Sequence, residues 1–279
     1  MDSAGIVFEQ IVEKWPQKIE IRFELARIYN EKSEYNEAME ILNGIEKEFG
    51  ISEPVSMLKE QIYVKRREHE EAVRELRKLL DILPGEIKYL GILAELYSTM
   101  EEYEKAEKTY REIFEIEPGN GLAQLSYAEL KRELQQYNEA FSMLKTAFRN
   151  ESIIIDHKLQ VIVEYLQDEN DARRRNTELG ELIDILIDIE PDNYKVLTIN
   201  ADYLVKNEKF GDALKEYEQM LGTASCKALS WEQAIFIHSY LNDYEQVYGK
   251  TSEAMKYFPD KPVLYLFNGN ALMQKRKYE

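Results

Sequence analysis

Histidine and cysteine side chains are scarce in this chain, and their spacing matches no known metal or nucleophile pattern. The three histidines, His69, His157 and His238, fit neither HExxH nor a Cys/His zinc pattern. The single cysteine, Cys226, allows no disulfide within the chain, and no histidine is expected beside it to make it a nucleophile. We therefore expect no metal ion, no cofactor and no catalytic residue.

Charged side chains dominate the remaining polar chemistry. Acidic residues are abundant, but without a distinctive partner none of them can be assigned as a catalytic acid or base. The formal net charge is −17, which disfavours nucleic acid as a partner because phosphate contacts need clustered Lys and Arg. The basic run 173–175 is flanked by acids, and we expect a solvated loop there. The sequence contains neither a glycine-rich phosphate loop nor an apolar run of about 18 residues that could span a membrane.

A period of 34 residues organises most of the chain. If Ala94 is numbered position 8 of the repeating unit, then Tyr103 occupies position 17, Ala106 position 20 and Pro118 position 32. Position 20 holds alanine in five successive units: Ala4, Ala38, Ala72, Ala106 and Ala140. A small residue at a fixed interval predicts two helices whose backbones approach closely at that point. Proline at position 32 predicts the end of the second helix.

These residues carry a family resemblance. The motif of Leu90, Leu93, Ala94 and Tyr97, followed by Ala106, Tyr110 and Pro118, resembles the tetratricopeptide repeat, with leucine where the family prefers tryptophan and alanine where it prefers glycine. The resemblance implies an all-α fold, a right-handed α-α superhelix of about seven full repeats plus a half repeat at each end. It is similar in a general way to long bacterial repeat proteins of the cytoplasm, periplasm or envelope, so the compartment stays open.

One repeat is longer than the others. Position 20 steps from Ala140 to Leu179, which is 39 residues, after which Ala213 and Val247 resume the interval of 34. This spacing predicts five extra residues near 168–176. Because each repeat of such an array contacts only its neighbours, we expect 1–279 to form a single continuous solenoid.

Both ends of the chain fall inside a repeat. Residues 4–16 match a second helix without its first, and residues 265–278 match positions 4 to 17 of a final unit. We therefore expect a fragment of a longer array, whose apolar ends could pair with other copies. A missing signal peptide then means little, because the true N-terminus is expected to lie further upstream.

The resemblance also implies a binding surface. In this family the first helices line a concave face, and position 9 points into it. In this chain that position reads Arg27, Gln61, Glu95, Glu129, Glu164 and Asp202, and then Phe236 and Asn270. The acidic members predict attraction of a basic protein or peptide segment, although an acidic protein also shows acid wherever it meets solvent.

The function implied is a non-catalytic scaffold that binds protein or peptide on this face. Lys at position 5 and Asn at position 9 of one unit, which grip a C-terminal carboxylate in one subtype of the family, are not paired in this chain. Two alternatives remain open: a substrate-positioning or regulatory region of a longer enzyme or envelope protein, and a self-assembly module.

Overall fold

The chain was analysed as a computed structural model, which describes residues 3–167, 172–221 and 227–278. Within these residues all regular secondary structure is helical, in sixteen α-helices. Residue contacts divide the chain into two compact units, 1–143 and 144–279. Cys226 and part of the long repeat lie outside the described residues.

The first unit opens with one helix and continues in pairs. Its helices are α1 (Ser3–Lys14), α2 (Ile19–Glu31), α3 (Tyr35–Phe49), α4 (Glu53–Lys65), α5 (His69–Ile82), α6 (Ile87–Thr99), α7 (Tyr103–Ile116), α8 (Gly121–Glu133) and the first part of α9 (Tyr137–Arg149). The first helix of each pair begins at position 1 of the repeat, and the second begins at position 17.

The second unit continues the same alternation and ends in one unpaired helix. Its helices after α9 are α10 (Ile155–Gln167), α11 (Ala172–Ile189), α12 (Tyr194–Lys206), α13 (Phe210–Leu221), α14 (Ala228–Tyr240), α15 (Tyr244–Tyr257) and α16 (Pro262–Tyr278). The predicted fold class, an all-α array of about seven helix pairs with a half repeat at each end, is confirmed. Tyr278 lies in the same helix as Pro262, so position 17 does not open a new helix there.

Small residues sit where the helices meet, as the spacing predicts. Ala38, Ala72, Ala106 and Ala213 are fully buried, and Ala140 is 1% exposed. Four residues later, at position 24, the side chain is large and also buried in most repeats: Leu42, Leu76, Tyr110, Leu144, Ile183 and Tyr217. A methyl group at position 20 thus leaves room for a large side chain one helical turn away. The side chain of Ala4 lies outside the described part.

The turn inside each helix pair repeats as closely as the helices do. Position 15 has left-handed φ values of 58° to 63° in six repeats, at Ser33, Arg67, Glu101, Gln135, Glu208 and Asn242. At the third of these, the Glu102 N–H donates to the Tyr97 carbonyl at 2.8 Å and the Glu101 N–H to the Ser98 carbonyl at 2.9 Å. These two bonds form the Schellman motif, which satisfies the last carbonyls of the first helix and reverses the chain.

The long repeat corrects one prediction. Arg174 and Arg175 lie in α11, where we expected a solvated loop. Arg175 is buried, with its guanidinium 5.6 Å from the Tyr165 ring centroid, so its charge is held by packing between helices instead of by solvent. Since α10 starts 34 residues after Gly121, the extra residues fall between α10 and Leu179, and α11 begins early, at Ala172. Residues 168–171 are outside the described ranges.

A close helix contact in the second unit depends on a glycine. A Cβ atom on Gly180 would lie 2.5 Å from the hydroxyl oxygen of Tyr203. That hydroxyl donates to the Asn176 carbonyl at 3.0 Å and so ties α12 to α11. The absence of a side chain at Gly180 therefore permits this contact.

Candidate binding surface

The candidate binding surface is a row of side chains at position 9 of the first helices. In the first unit these are Arg27, Gln61, Glu95 and Glu129, one each from α2, α4, α6 and α8. All four side chains are exposed, although the neighbouring position 8 is buried in every case, with Ala26, Ala94 and Ala128 at 0% exposure. The register that buries one column therefore presents the next one to solvent.

Arg27 and Gln61 border one groove. It has a volume of about 360 Å³ and is lined by Phe23, Arg27, Asn30, Glu31, Pro54, Met57, Leu58 and Gln61. The Arg27 guanidinium accepts no proton partner and donates to the Glu24 carboxylate at 3.1 Å, while Lys65 Nζ of α4 donates to the Asn30 side-chain oxygen of α2 at 3.0 Å. The groove thus combines apolar surface with cationic groups, and it differs in character from the acidic positions further along the row.

The acidic positions lie on α6 and α8. Ser126 on α8 donates its hydroxyl to Glu95 Oε1 on α6 at 3.3 Å, which links the two helices. Glu129 forms an ion pair with Arg132, one turn away, at 2.8 Å. Burial raises the pKa of Glu133, and the negative charges of Glu129 and Glu101 raise it further. Three carboxylates therefore share this area with one arginine.

A tyrosine hydroxyl lies behind the acidic area. Tyr110 on α7 is 2% exposed, and burial together with the charge of Glu95 raises the pKa of its hydroxyl. The hydroxyl therefore stays protonated at neutral pH and contributes no charge to the surface.

Glu164 and Asp202 belong to the second unit. Counted from the start of α10, position 9 is Val163, which is exposed, and Glu164 is the next residue, exposed and hydrogen-bonded to Gln160 at 3.2 Å. Asp202 is at position 9 of α12, where it accepts a hydrogen bond of 2.8 Å from the Tyr217 hydroxyl. Burial raises the pKa of Asp202, an effect that the Tyr217 hydrogen bond opposes.

The following first helix in this unit is apolar on the same face. Phe236, at position 9 of α14, is 52% exposed, and Tyr240 on that helix is 62% exposed. The position 9 row is therefore mixed in the first unit up to α4, acidic on α6 and α8, and apolar on α14.

Reading position 9 alone missed two members of this surface. Glu133 occupies position 13 of its repeat and Ser126 occupies position 6. Position 13 also points inward in tetratricopeptide repeats, so Glu133 could have been found by applying the same register to a second column. Ser126 could not, because its role depends on the distance to Glu95 on the neighbouring helix.

The described residues were also searched for other functional features. Groups of three or more His, Cys, Asp or Glu residues with a geometry suited to a metal ion do not occur among them. Within the same residues, no helix has the length and apolarity needed to cross a bilayer. His238 is buried, and its Nδ1 lies 3.6 Å from the Asp243 carboxylate. Burial and the nearby charge of Lys250 lower its pKa.

Comparison with known proteins bears on the family. The tetratricopeptide repeat family matches residues 87–120. The crystal structure of yeast Tom70 is similar over 98% of this chain and 59% of Tom70, with a TM-score of 0.52 and 16% sequence identity. No curated protein is significantly similar to the chain in sequence.

Two further solved structures are more distant. A tetratricopeptide repeat protein from Parabacteroides merdae matches 92% of this chain and 99% of its own, with a TM-score of 0.47 and 18% identity. YrrB, a tetratricopeptide-repeat protein with an unusual peptide-binding site, matches 69% of this chain and 97% of its own, with a TM-score of 0.43 and 16% identity. Of these three structures, Tom70 is the one whose likeness supports the shared fold. Together with the matched repeat and the regular helix pairs, it identifies the chain as a tetratricopeptide-repeat protein by fold.

Proposed function

We propose that this chain is a non-catalytic scaffold that binds a protein or peptide segment on the position 9 row of its first helices. The observation that carries the proposal is the acidic area formed by Glu95, Glu129 and Glu133 on α6 and α8. These side chains come from two successive repeats, and the Ser126 hydrogen bond to Glu95 holds the two helices together there.

The chemistry of this area favours a basic segment. Arg132 pairs with one carboxylate, so the area keeps an excess of negative charge. Crowding of like charges is what raises the pKa of Glu133, after burial, and a ligand ammonium or guanidinium would relieve it. Attraction of this kind weakens as salt screens it. Asp202 and Glu164 would act in the same way in the second unit, where Phe236 adds an apolar contact.

The test is a binding titration with a labelled lysine-rich peptide. Replacement of Glu95, Glu129 and Glu133 by glutamine should weaken binding about tenfold, which corresponds to the loss of two or three exposed ion pairs. The matched control replaces Glu40, Glu104 and Glu115, three exposed carboxylates of second helices, by glutamine. It changes the net charge by the same amount and should leave the affinity within about twofold.

A site-specific readout separates this surface from general attraction to an acidic protein. Gly91, at position 5 of α6, should show a shifted amide resonance in an NMR titration with the lysine-rich peptide. Equal losses of affinity in the two triple variants, or an unmoved Gly91 resonance at saturation, would rule out the proposed surface. Asp202→Asn extends the same test to the second unit.

A further inference from the structure

A second groove lies between the second helices α5 and α7. It has a volume of about 520 Å³, which exceeds that of the groove at Arg27 and Gln61. It is lined by Arg77, Leu80, Asp81, Pro84 and Gly85 from α5 and its turn, by Leu90, Leu93 and Tyr97 from α6, and by Lys105, Lys108, Thr109 and Glu112 from α7. Neither the repeat pattern nor the position 9 row accounts for it.

The groove has an apolar floor. Leu90, Leu93 and Tyr97 of α6 are each at most 5% exposed, and they meet the half-buried Leu80 of α5. A side chain of leucine size could contact this floor from the open side without displacing any helix. Burial of that kind contributes about 25 cal/mol per Å² of apolar surface removed from water.

Cationic groups stand on both walls. Arg77 donates from Nη2 to the Tyr97 hydroxyl oxygen at 2.6 Å, so a phenol that is buried in the floor orients its guanidinium. Lys105 lies 5.4 Å from the Tyr97 ring centroid and is paired with Glu102 at 2.7 Å. Among the residues that the structure describes, neither Arg77 nor Lys108 has a carboxylate within ion-pairing distance. In a chain of net charge −17, two cations on facing helices without acidic partners are unusual.

The rim also carries two acceptors. Asp81 ends the α5 side and Glu112 lies on α7, and both are exposed. They would repel a ligand with a high density of negative charge, and they could accept hydrogen bonds from backbone N–H groups. A ligand that suits the whole groove therefore has a single carboxylate, apolar groups beside it and free N–H donors.

We propose that this groove binds an extended peptide segment in which an acidic side chain lies between apolar ones, with the carboxylate held by Arg77 and Lys108 and the apolar side chains on Leu80, Leu90 and Leu93. Arginine suits this role because its planar fork can keep the bond to Tyr97 while its other N–H groups face the ligand. The site is independent of the position 9 row and selects the opposite charge.

The test uses a labelled peptide with a Leu-Glu-Leu core between Gly and Ser residues, and fluorescence anisotropy as the readout. The double variant Arg77→Gln/Lys108→Gln should bind about tenfold more weakly than the native chain. The matched control, Arg74→Gln/Arg111→Gln, removes two exposed cations from the same two helices outside the groove, and should bind within about twofold of it. Peptides with Leu-Gln-Leu and Ser-Glu-Ser cores should both bind more weakly than Leu-Glu-Leu.

NMR locates the peptide independently of affinity. The amide resonance of Gly85, which lines the groove, should shift on titration, whereas that of Gly91 on α6 should not. The proposal is overturned if the Leu-Glu-Leu peptide does not bind, if the two double variants lose affinity equally, or if Gly91 shifts in place of Gly85. Because the lysine-rich peptide reports on Gly91, failure of one site leaves the result for the other intact.

Discussion

Lys59 on α4 donates a hydrogen bond to the carboxylate of Glu46 on α3, the second helix of the preceding repeat. Lys59 is 2% exposed and stands at position 7, where Leu25 and Leu93 stand in other repeats. Lys78 of α5 also donates to Glu46, at 2.9 Å. Burial raises the pKa of Glu46, but the hydrogen bonds from the two lysines outweigh it and the net shift is downward.

Removal of the buried ammonium should destabilise the first unit. Lys59→Met keeps the length of the side chain but leaves Glu46 and the buried Glu75 with Lys78 as their remaining cation. We expect the free energy of unfolding to fall by about 3 kcal/mol in guanidinium denaturation, since an unpaired charge stays buried. Lys47→Met, on the exposed side of α3, should change it by less than about 0.5 kcal/mol. A similar small change for both variants would show that the network contributes nothing.

Overpacking at position 20 should also be measurable. Ala106 is 0% exposed, so Ala106→Leu must displace Tyr97, Tyr110 or the helix itself and should cost about 1 to 3 kcal/mol. Glu104→Leu, two residues earlier and exposed, is the control. Glu107 is unsuitable as a control because it pairs with Lys131 at 2.5 Å. Thermal denaturation that found the two leucine variants equally stable would contradict the observed register.

The left-handed turn residue offers a stabilising substitution. Glu101 has a φ of 59°, a conformation that costs a residue with a Cβ atom about 1 kcal/mol and costs glycine little. Glu101→Gly should therefore raise the free energy of unfolding by about 0.5 to 1 kcal/mol, whereas Glu115→Gly, within α7, should lower it by about 1 kcal/mol. Glu101→Gln separates the backbone effect from the loss of charge. If the glutamine variant gained as much as the glycine variant, the charge would be responsible.

A tyrosine gives the stability a dependence on alkaline pH. The Tyr29 hydroxyl donates to Glu9 Oε1 at 2.7 Å, and this bond, with burial, raises the pKa of Tyr29 to about 12. The raised pKa means that the stabilisation is complete below the unfolded value of about 10 and is lost as pH rises through about 12. Denaturation midpoints should therefore fall over that interval, by less in Tyr29→Phe than in the native chain. Tyr240→Phe, in an exposed ring, is the control, and an identical pH profile for all three proteins would exclude this linkage.

Local pattern was enough to predict the helix pairs. Each repeat contacts mainly its sequence neighbours, so the spacing of Ala38, Ala72 and Ala106 already encodes which helix faces meet. The start of every described first helix at position 1 follows from the same period. The turn between the helices was less accessible, because its left-handed residue is never glycine in the six regular repeats where it is described, and side chains such as those of Arg67 and Glu101 carry no turn signal.

The candidate sites divide in the same way. Sequence placed Glu95, Glu129 and Asp202 on exposed helix positions, because one helical register decides exposure within a repeat. It misplaced Glu164 by one residue, because the long repeat obscures where α10 begins.

The amino-acid sequence by itself determined the period, the helix pairs and the small residues at their contacts, since these depend on neighbours along the chain. Tertiary structure alone decided which charges meet. Lys59 lies in a buried network and Arg77 faces Lys108 across a groove because side chains from three helices converge at each place. That convergence depends on distances in space, which a one-dimensional period does not contain.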